Sequence, residues 1–208
     1  LDIPRLIGAE LTYKRSRGGW TIKTDRFMRT SIKKFYTAGD VAGAFGIHLA
    51  SVRGRLAAYT AARDTQFITK KQFSLEAVPV KDSLPRAASF GRGVNRLSAP
   101  HKGLVKLITP ETLVCRCESV PCGQIDDAIA EGAVTLQSLR AATRCGYGAC
   151  NGRFCMGAAA AIIHDRTGRT PEQIGYVSAR MPIRPIHVST FTQEFSDDEL
   201  GSEEPPAL

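Results

Sequence analysis

Apolar and polar positions follow three different rhythms along this chain. Near the start, short apolar runs are separated by basic and glycine-rich turns: Leu6-Ile7-Gly8, Glu10-Leu11-Thr12-Tyr13, Arg17-Gly18-Gly19, then Trp20-Thr21-Ile22. Runs of this kind closed by a Gly-Gly turn predict a short strand pair. Residues 33–38 predict a short buried strand ending at Gly39-Asp40. Over 46–62 the period lengthens. Ala50, Gly54, Ala57, Ala58 and Ala61 recur at spacings of three and four, which predicts a helix with a small-residue face that packs closely on a neighbour.

The third rhythm is broken, then helical. Pro79, Pro85, Pro100 and Pro110, with Gly91, Gly93 and Gly103 among them, predict a linker over 66–108 with short helices near 83–97 and 101–108. From Pro121 the pattern is helical again. Ile125, Ala128 and Ile129 share a face that ends at Gly132, and Thr135 is placed to cap a second helix, Leu136 to Ala142. A third helix is expected from Cys150 or Gly152 to Arg166. Thr170-Pro171-Glu172 starts a short fourth, with a capping threonine, a first-turn proline and a first-turn acid. Met181-Pro182-Ile183-Arg184-Pro185 must be extended, because neither proline fits a helix interior.

Composition narrows the class. With 208 residues and 43% apolar content, the chain can build a core. Its longest unbroken apolar run, Ala158 to Ile163, is far short of the ~20 residues that span a bilayer. The first residue is Leu1 and the opening does not resemble a signal peptide, so the chain is expected to begin partway through a longer one. The net charge of +8 is unevenly spread. Six acids and no base follow Gln193, so the residues before it carry +14. The acidic end, 191–208, is expected to be a disordered tail. The bases in the body are scattered, with no recognition helix or stacking-aromatic motif beside them, so a nucleic-acid partner is not expected. A docking surface for an acidic partner or an anionic cofactor fits better.

All six cysteines lie between Cys115 and Cys155. Without a secretory signal, such a local cluster points to metal or redox chemistry rather than disulfides. The outer pairs read C-x-C, then 32 residues, then C-x4-C. Structural zinc prefers pairs two to four residues apart, so C-x-C suits a zinc knuckle poorly, although Cys117 and Cys122 form a looser pair. A [2Fe–2S] cluster needs four thiolates. Gly146, Gly148 and Gly152 let the second segment wrap closely and aim N–H groups at sulfur. The four histidines, His48, His101, His164 and His187, do not cluster. No Ser/His/Asp order, HExxH helix or P-loop is present, and no catalytic residue is nominated.

Cys115-Arg116-Cys117-Glu118, a helical hairpin, then Thr143-Arg144-Cys145-Gly146-Tyr147-Gly148-Ala149-Cys150-Asn151-Gly152-Arg153-Phe154-Cys155 resembles the bacterioferritin-associated-ferredoxin-like (BFD-like) [2Fe–2S] domain. The likeness is closer to the version at the end of flavin-dependent dehydrogenase subunits: opine oxidase A subunits, the middle subunit of hydrogen cyanide synthase and related amino-acid dehydrogenases. The resemblance covers about 105–190 and implies Cys115, Cys117, Cys150 and Cys155 as cluster ligands. Cys122 and Cys145 fall outside that set, with Cys145 near enough in sequence to be a substitute.

Tyr36-Thr37-Ala38-Gly39-Asp40, led by Arg29-Thr30-Ser31 and followed by the small-residue helix, resembles the C-terminal FAD motif of two-dinucleotide-domain flavoproteins. Lys33-Lys34 replaces the usual Pro-Gly turn. The resemblance implies Gly39, Asp40 and Gly46 as cofactor contacts. A carboxylate at a strand end suits ribityl or ribose hydroxyls, and the following helix start suits pyrophosphate. The Gly-x-Gly-x-x-Gly turn that opens such subunits is absent from this sequence.

The expected architecture is α+β. Residues 1–65 are the C-terminal remnant of an α/β FAD-binding domain, 66–108 a linker, 109–190 a small all-α BFD-like [2Fe–2S] domain, and 191–208 the tail. The expected role is electron transfer within a flavin-dependent amino-acid, opine or amine dehydrogenase complex. The chain would be a subunit or fragment, inactive alone, with a partial FAD site and a flavin-bearing, substrate-oxidising partner subunit. The expected location is the cytoplasm, or a membrane surface reached through the complex. Two alternatives stand beside it: a free BFD-like ferredoxin that docks on a partner protein, and a zinc-stabilised interaction domain.

Overall fold

The computed structural model describes residues 1–183 and 186–192. The expected acidic tail, apart from its first two residues, lies outside the described residues, as do Arg184 and Pro185.

The N-terminal half begins with a short helix, α1 (Asp2–Leu6), which the sequence pattern did not suggest. Strands β1 (Leu11–Lys14) and β2 (Gly19–Ile22) form the expected antiparallel pair, with Leu11 opposite Ile22 and Tyr13 opposite Trp20. The expected strand over 33–38 does not form. Only Tyr36 bridges, to Arg29, and among the described residues no other strand lies beside it to extend the ladder. Its hydroxyl instead donates to Asp64 at 2.9 Å. A single turn of tight helix, Gly39–Ala42, leads to α2 (Ile47–Asp64).

The expected break between the halves is instead α3 (Lys70–Ser98), one continuous helix of 29 residues containing both Pro79 and Pro85. Thr69 and Gln72 cap it reciprocally. Phe73, Ala77 and Val80 recur at helical spacing and are buried with Leu56 of α2 and Met28, while both prolines lie on the exposed side. The carbonyls that lose their partners to proline therefore face water. Gly91 is a required close approach: a Cβ there would lie 2.5 Å from the Phe45 backbone.

The C-terminal half is small and mainly helical. After a tight turn at Lys102–Leu107, β3 (Leu113–Cys115) pairs with β4 (Val120–Pro121). Helices α4 (Cys122–Ala130), α5 (Leu136–Thr143), α6 (Cys155–Thr167) and α7 (Pro171–Ile174) follow. Thr135 and Thr170 cap α5 and α7 as the sequence suggests. The third helix of this half starts at Cys155, later than expected, so Cys150 sits in the loop before it. Ile125, Leu136, Leu139, Ile162 and Ile163 are almost fully buried in one core. Each such side chain contributes about 1.5–3 kcal/mol through burial. Cys115, Cys122, Cys145 and Cys155 belong to the same core, so the thiols are fixed by the packing that folds this half.

The halves touch through side chains. Tyr176 stacks near Trp20 of β2, with ring centroids 6.1 Å apart, and lies under the Arg5 guanidinium at 4.5 Å. Arg153 donates to Asp2 of α1 at 3.1 Å. No described helix is long and apolar enough to cross a membrane.

Candidate metal centre

Two segments carry the thiols. Cys115 ends β3 and Cys117 lies in the turn between β3 and β4. Cys145 and Cys150 lie in the loop between α5 and α6, and Cys155 opens α6. The five divide into two groups. Cys115, Cys145 and Cys155 are buried, and their Sγ atoms all lie within 4.8 Å of one another. Cys117 is exposed and Cys150 half-buried, and the Cys117 thiol lies near enough to Cys150 to help hold it below its ordinary value. The structure thus brings Cys115 to Cys155 and Cys117 to Cys150. Cys122 is buried elsewhere, its thiol 3.7 Å from the Asp126 carboxylate. Burial and that carboxylate both push the Cys122 thiol up.

Backbone N–H groups converge on two of the sulfurs. Burial pushes Cys115 up, but N–H groups of Gly146, Glu118 and Cys117, with the Cys155 thiol, outweigh it and leave Cys115 below its ordinary value. Burial acts the same way on Cys150 and is outweighed by the Phe154, Gly152 and Arg153 N–H groups and by the Cys117 thiol. Burial, then the neighbouring sulfurs, pushes Cys145 far up. Cys155 is pushed up to about 11, by burial and then by Cys115. Thiolates facing backbone donors are what an iron–sulfur group requires. The donor set, two thiols from each of two segments inside an N–H cradle, fits a four-thiolate group.

Gly148 lets the segments meet. A Cβ there would lie 2.2 Å from Cys117 Cβ and 3.3 Å from its Sγ. Three arginines also hold the loop, and sequence reasoning missed them. Arg144 Nε pairs with Glu118 at 3.0 Å, tying the loop to the C-x-C turn. Arg140 donates to the Gly146 carbonyl at 3.4 Å and stacks over Tyr147. Arg153 donates to the Cys150 carbonyl at 3.1 Å. The usable signal was Glu118, the one acid beside the C-x-C pair, set against the arginines of the second segment. A cleft of about 460 Å³ opens over this loop, lined by Tyr147, Gly148, Asn151, Arg153 and Pro182.

Residues 113–165 match the profile of the BFD-like [2Fe-2S] binding domain. That segment holds every thiol of the two groups. Residues 113–165 are a BFD-like [2Fe–2S] binding domain. The chain that carries this BFD-like domain is also related to oxidoreductase subunits. It is 31% identical over 186 residues to the opine oxidase A subunit from Agrobacterium tumefaciens, covering 88% of this chain and 36% of that protein. It is 32% identical over 169 residues to hydrogen cyanide synthase subunit HcnB of Pseudomonas aeruginosa, covering 79% of this chain and 35% of that protein. The chain therefore spans about a third of the length of the curated relatives it matches. In fold it resembles L-proline dehydrogenase from P. horikoshii, with a TM-score of 0.60 over 90% of this chain, 36% of that chain and 23% identity.

The residues that the flavoprotein resemblance implies lie in the N-terminal half, away from the cysteine segments in sequence. Gly39 and Asp40 open the tight turn before α2, with Asp40 exposed, and Gly46 is the N-cap of α2. No side chain caps that helix start. The Thr37 hydroxyl is buried without a hydrogen-bond partner among the described residues. The uncapped helix start and the orphaned hydroxyl each leave hydrogen-bonding capacity of the kind that the polar groups of FAD use.

A second cleft, of about 390 Å³, gathers Arg15, Arg92 and Arg96. These bases are scattered in sequence, and only the return of α3 along the hairpin brings them together.

Proposed function

We propose that this chain is the electron-carrying part of a flavin-dependent dehydrogenase complex acting on an amino acid, opine or amine. Its ligands are Cys115, Cys117, Cys150 and Cys155. The observation that supports this most is the thiol geometry. One cysteine from each segment pairs with one from the other, Cys115 with Cys155 and Cys117 with Cys150, inside a cradle of backbone donors. The relatives, which belong to opine oxidase and hydrogen cyanide synthase, supply the reaction class.

When bound, a [2Fe–2S] cluster accepts and returns single electrons, whereas flavin accepts two. The residues of this chain do the rest. The core of the BFD-like domain fixes Cys115 and Cys155 and keeps water from them. The N–H groups of Gly146, Glu118, Gly152 and Phe154 stabilise negative charge on sulfur. Gly39, Asp40 and Gly46 contribute one edge of a partial FAD site that a further segment or partner completes. The substrate-oxidising flavin belongs to a different polypeptide of the complex, and the cationic body of this chain favours docking on an acidic partner surface.

Anaerobic reductive titration of the chain, reconstituted with ferrous iron and sulfide, tests the role. The expected result is reversible uptake of one electron per chain, with little FAD held by the chain alone. A protein with no reversible redox step, or one that carries only zinc, overturns the reading.

A further inference from the structure

The assigned ligands leave one thiol of the buried trio unused. Cys145 is fully buried, and its sulfur lies within 4.8 Å of those of both Cys115 and Cys155. Local structure puts it there. α5 ends at Thr143, Arg144 takes a left-handed conformation with φ 62°, and the Cys145 N–H donates to the Thr143 hydroxyl at 3.1 Å. The reversal turns the next side chain inward, into the core and against two sulfurs. Two thiolates on one tetrahedral metal, with metal–sulfur bonds of about 2.3 Å, sit roughly 3.8 Å apart. Any pair within the trio is thus within about an ångström of a chelating separation. On the other side, Cys117 and Cys150 have no third thiol within such a distance among the described residues.

We propose that Cys145 is a reserve ligand of the metal centre, able to replace Cys155 as the partner of Cys115. This rests on the cluster reading above. The exchange balances without an oxidant. The Cys145 Sγ–H proton passes to the departing Cys155 thiolate as one iron–sulfur bond forms and the other breaks, and no electron moves. The centre is therefore asymmetric: its buried side tolerates loss of a ligand and its outer side does not.

The test uses the whole chain, reconstituted anaerobically with ferrous iron and sulfide. Iron and sulfide are counted, and the electron paramagnetic resonance spectrum of the reduced protein is recorded. The wild type and Cys145→Ala are expected to carry two irons. Cys155→Ala is expected to keep at least half of the wild-type iron with a changed spectrum. Cys145→Ala/Cys155→Ala and Cys150→Ala are expected to lose about nine-tenths of it. Cys155→Ser, close to cysteine in volume, is run with and without Cys145→Ala. Circular dichroism identifies any variant that fails to fold, and the serine pair then decides. Cys155 variants as iron-poor as their double variants, beside an iron-loaded wild type, overturn the reserve ligand alone. Equal iron retention in single and double variants overturns it as well. A wild type without iron overturns the cluster reading and this inference together.

Discussion

Gly148 controls how closely the two cysteine-bearing segments approach. A methyl group there would overlap Cys117 Cβ, so one of the two segments would have to shift. Overpacking of this kind costs about 1–3 kcal/mol. Gly148→Ala is expected to lower stability by about that amount and to reduce retained iron, read by thermal denaturation and iron analysis. Gly157→Ala is the control, because a Cβ on that α6 residue meets nothing within 4 Å. It is expected to be neutral or to stabilise by about 0.5–1 kcal/mol. At this scale the sequence was informative. The C-x-C pair, the glycine-rich loop and the crowding of six cysteines are local patterns. The sulfur pairing was not legible, because it depends on the core beneath α6. Nor was the hold that Arg140 and Arg144 have on the loop, since their partners lie on other turns of the chain.

Among the elements, α3 departs most from expectation. Its prolines read as punctuation, yet Phe73, Ala77 and Val80 already carried a helical period. Burial of that face against α2 outweighs two missing backbone hydrogen bonds. Pro79→Ala is expected to raise stability by about 1–3 kcal/mol in urea unfolding, because it restores a donor on an exposed face. A loss of stability would contradict this view of the helix. The expected strand over 33–38 failed for the opposite reason: among the described residues it has no partner strand, only the single Tyr36–Arg29 bridge. Its Tyr36 hydroxyl and the Arg29 guanidinium converge instead on Asp64, with Arg29 bidentate at 2.5 and 2.8 Å. Arg29, followed by Tyr36 and Arg63, holds the Asp64 carboxyl well below the usual carboxylate range, against a smaller effect of burial. An unfolded Asp titrates near 3.9. A depressed folded value means that this stabilisation is complete above about pH 5 and fades as the pH falls through the folded value. Asp64→Asn is expected to flatten the acid limb of the stability profile below pH 5, measured by denaturation across pH. An unchanged acid limb would contradict it.

On the scale of the whole molecule, the two halves meet at Trp20, Tyr176, Arg5 and the Arg153–Asp2 pair. The N-terminal half forms a two-stranded sheet, two long helices and short helical turns among the described residues. The features that support the proposed flavin-domain edge are Gly39, Asp40, Gly46 and the Thr37 hydroxyl, which has no partner among the described residues. The α+β character and the helical cysteine unit were legible because capping residues and periodicity mark them locally. The meeting of the halves was not, because it rests on single side chains distant in sequence. The central claim is that the BFD-like domain holds a redox-active cluster on Cys115, Cys117, Cys150 and Cys155. Its most direct test is metal, sulfide and visible-absorption analysis of the chain isolated under anaerobic conditions. About two irons and two sulfides per chain are expected, with visible bands that bleach on adding dithionite. A colourless protein carrying stoichiometric zinc would contradict it.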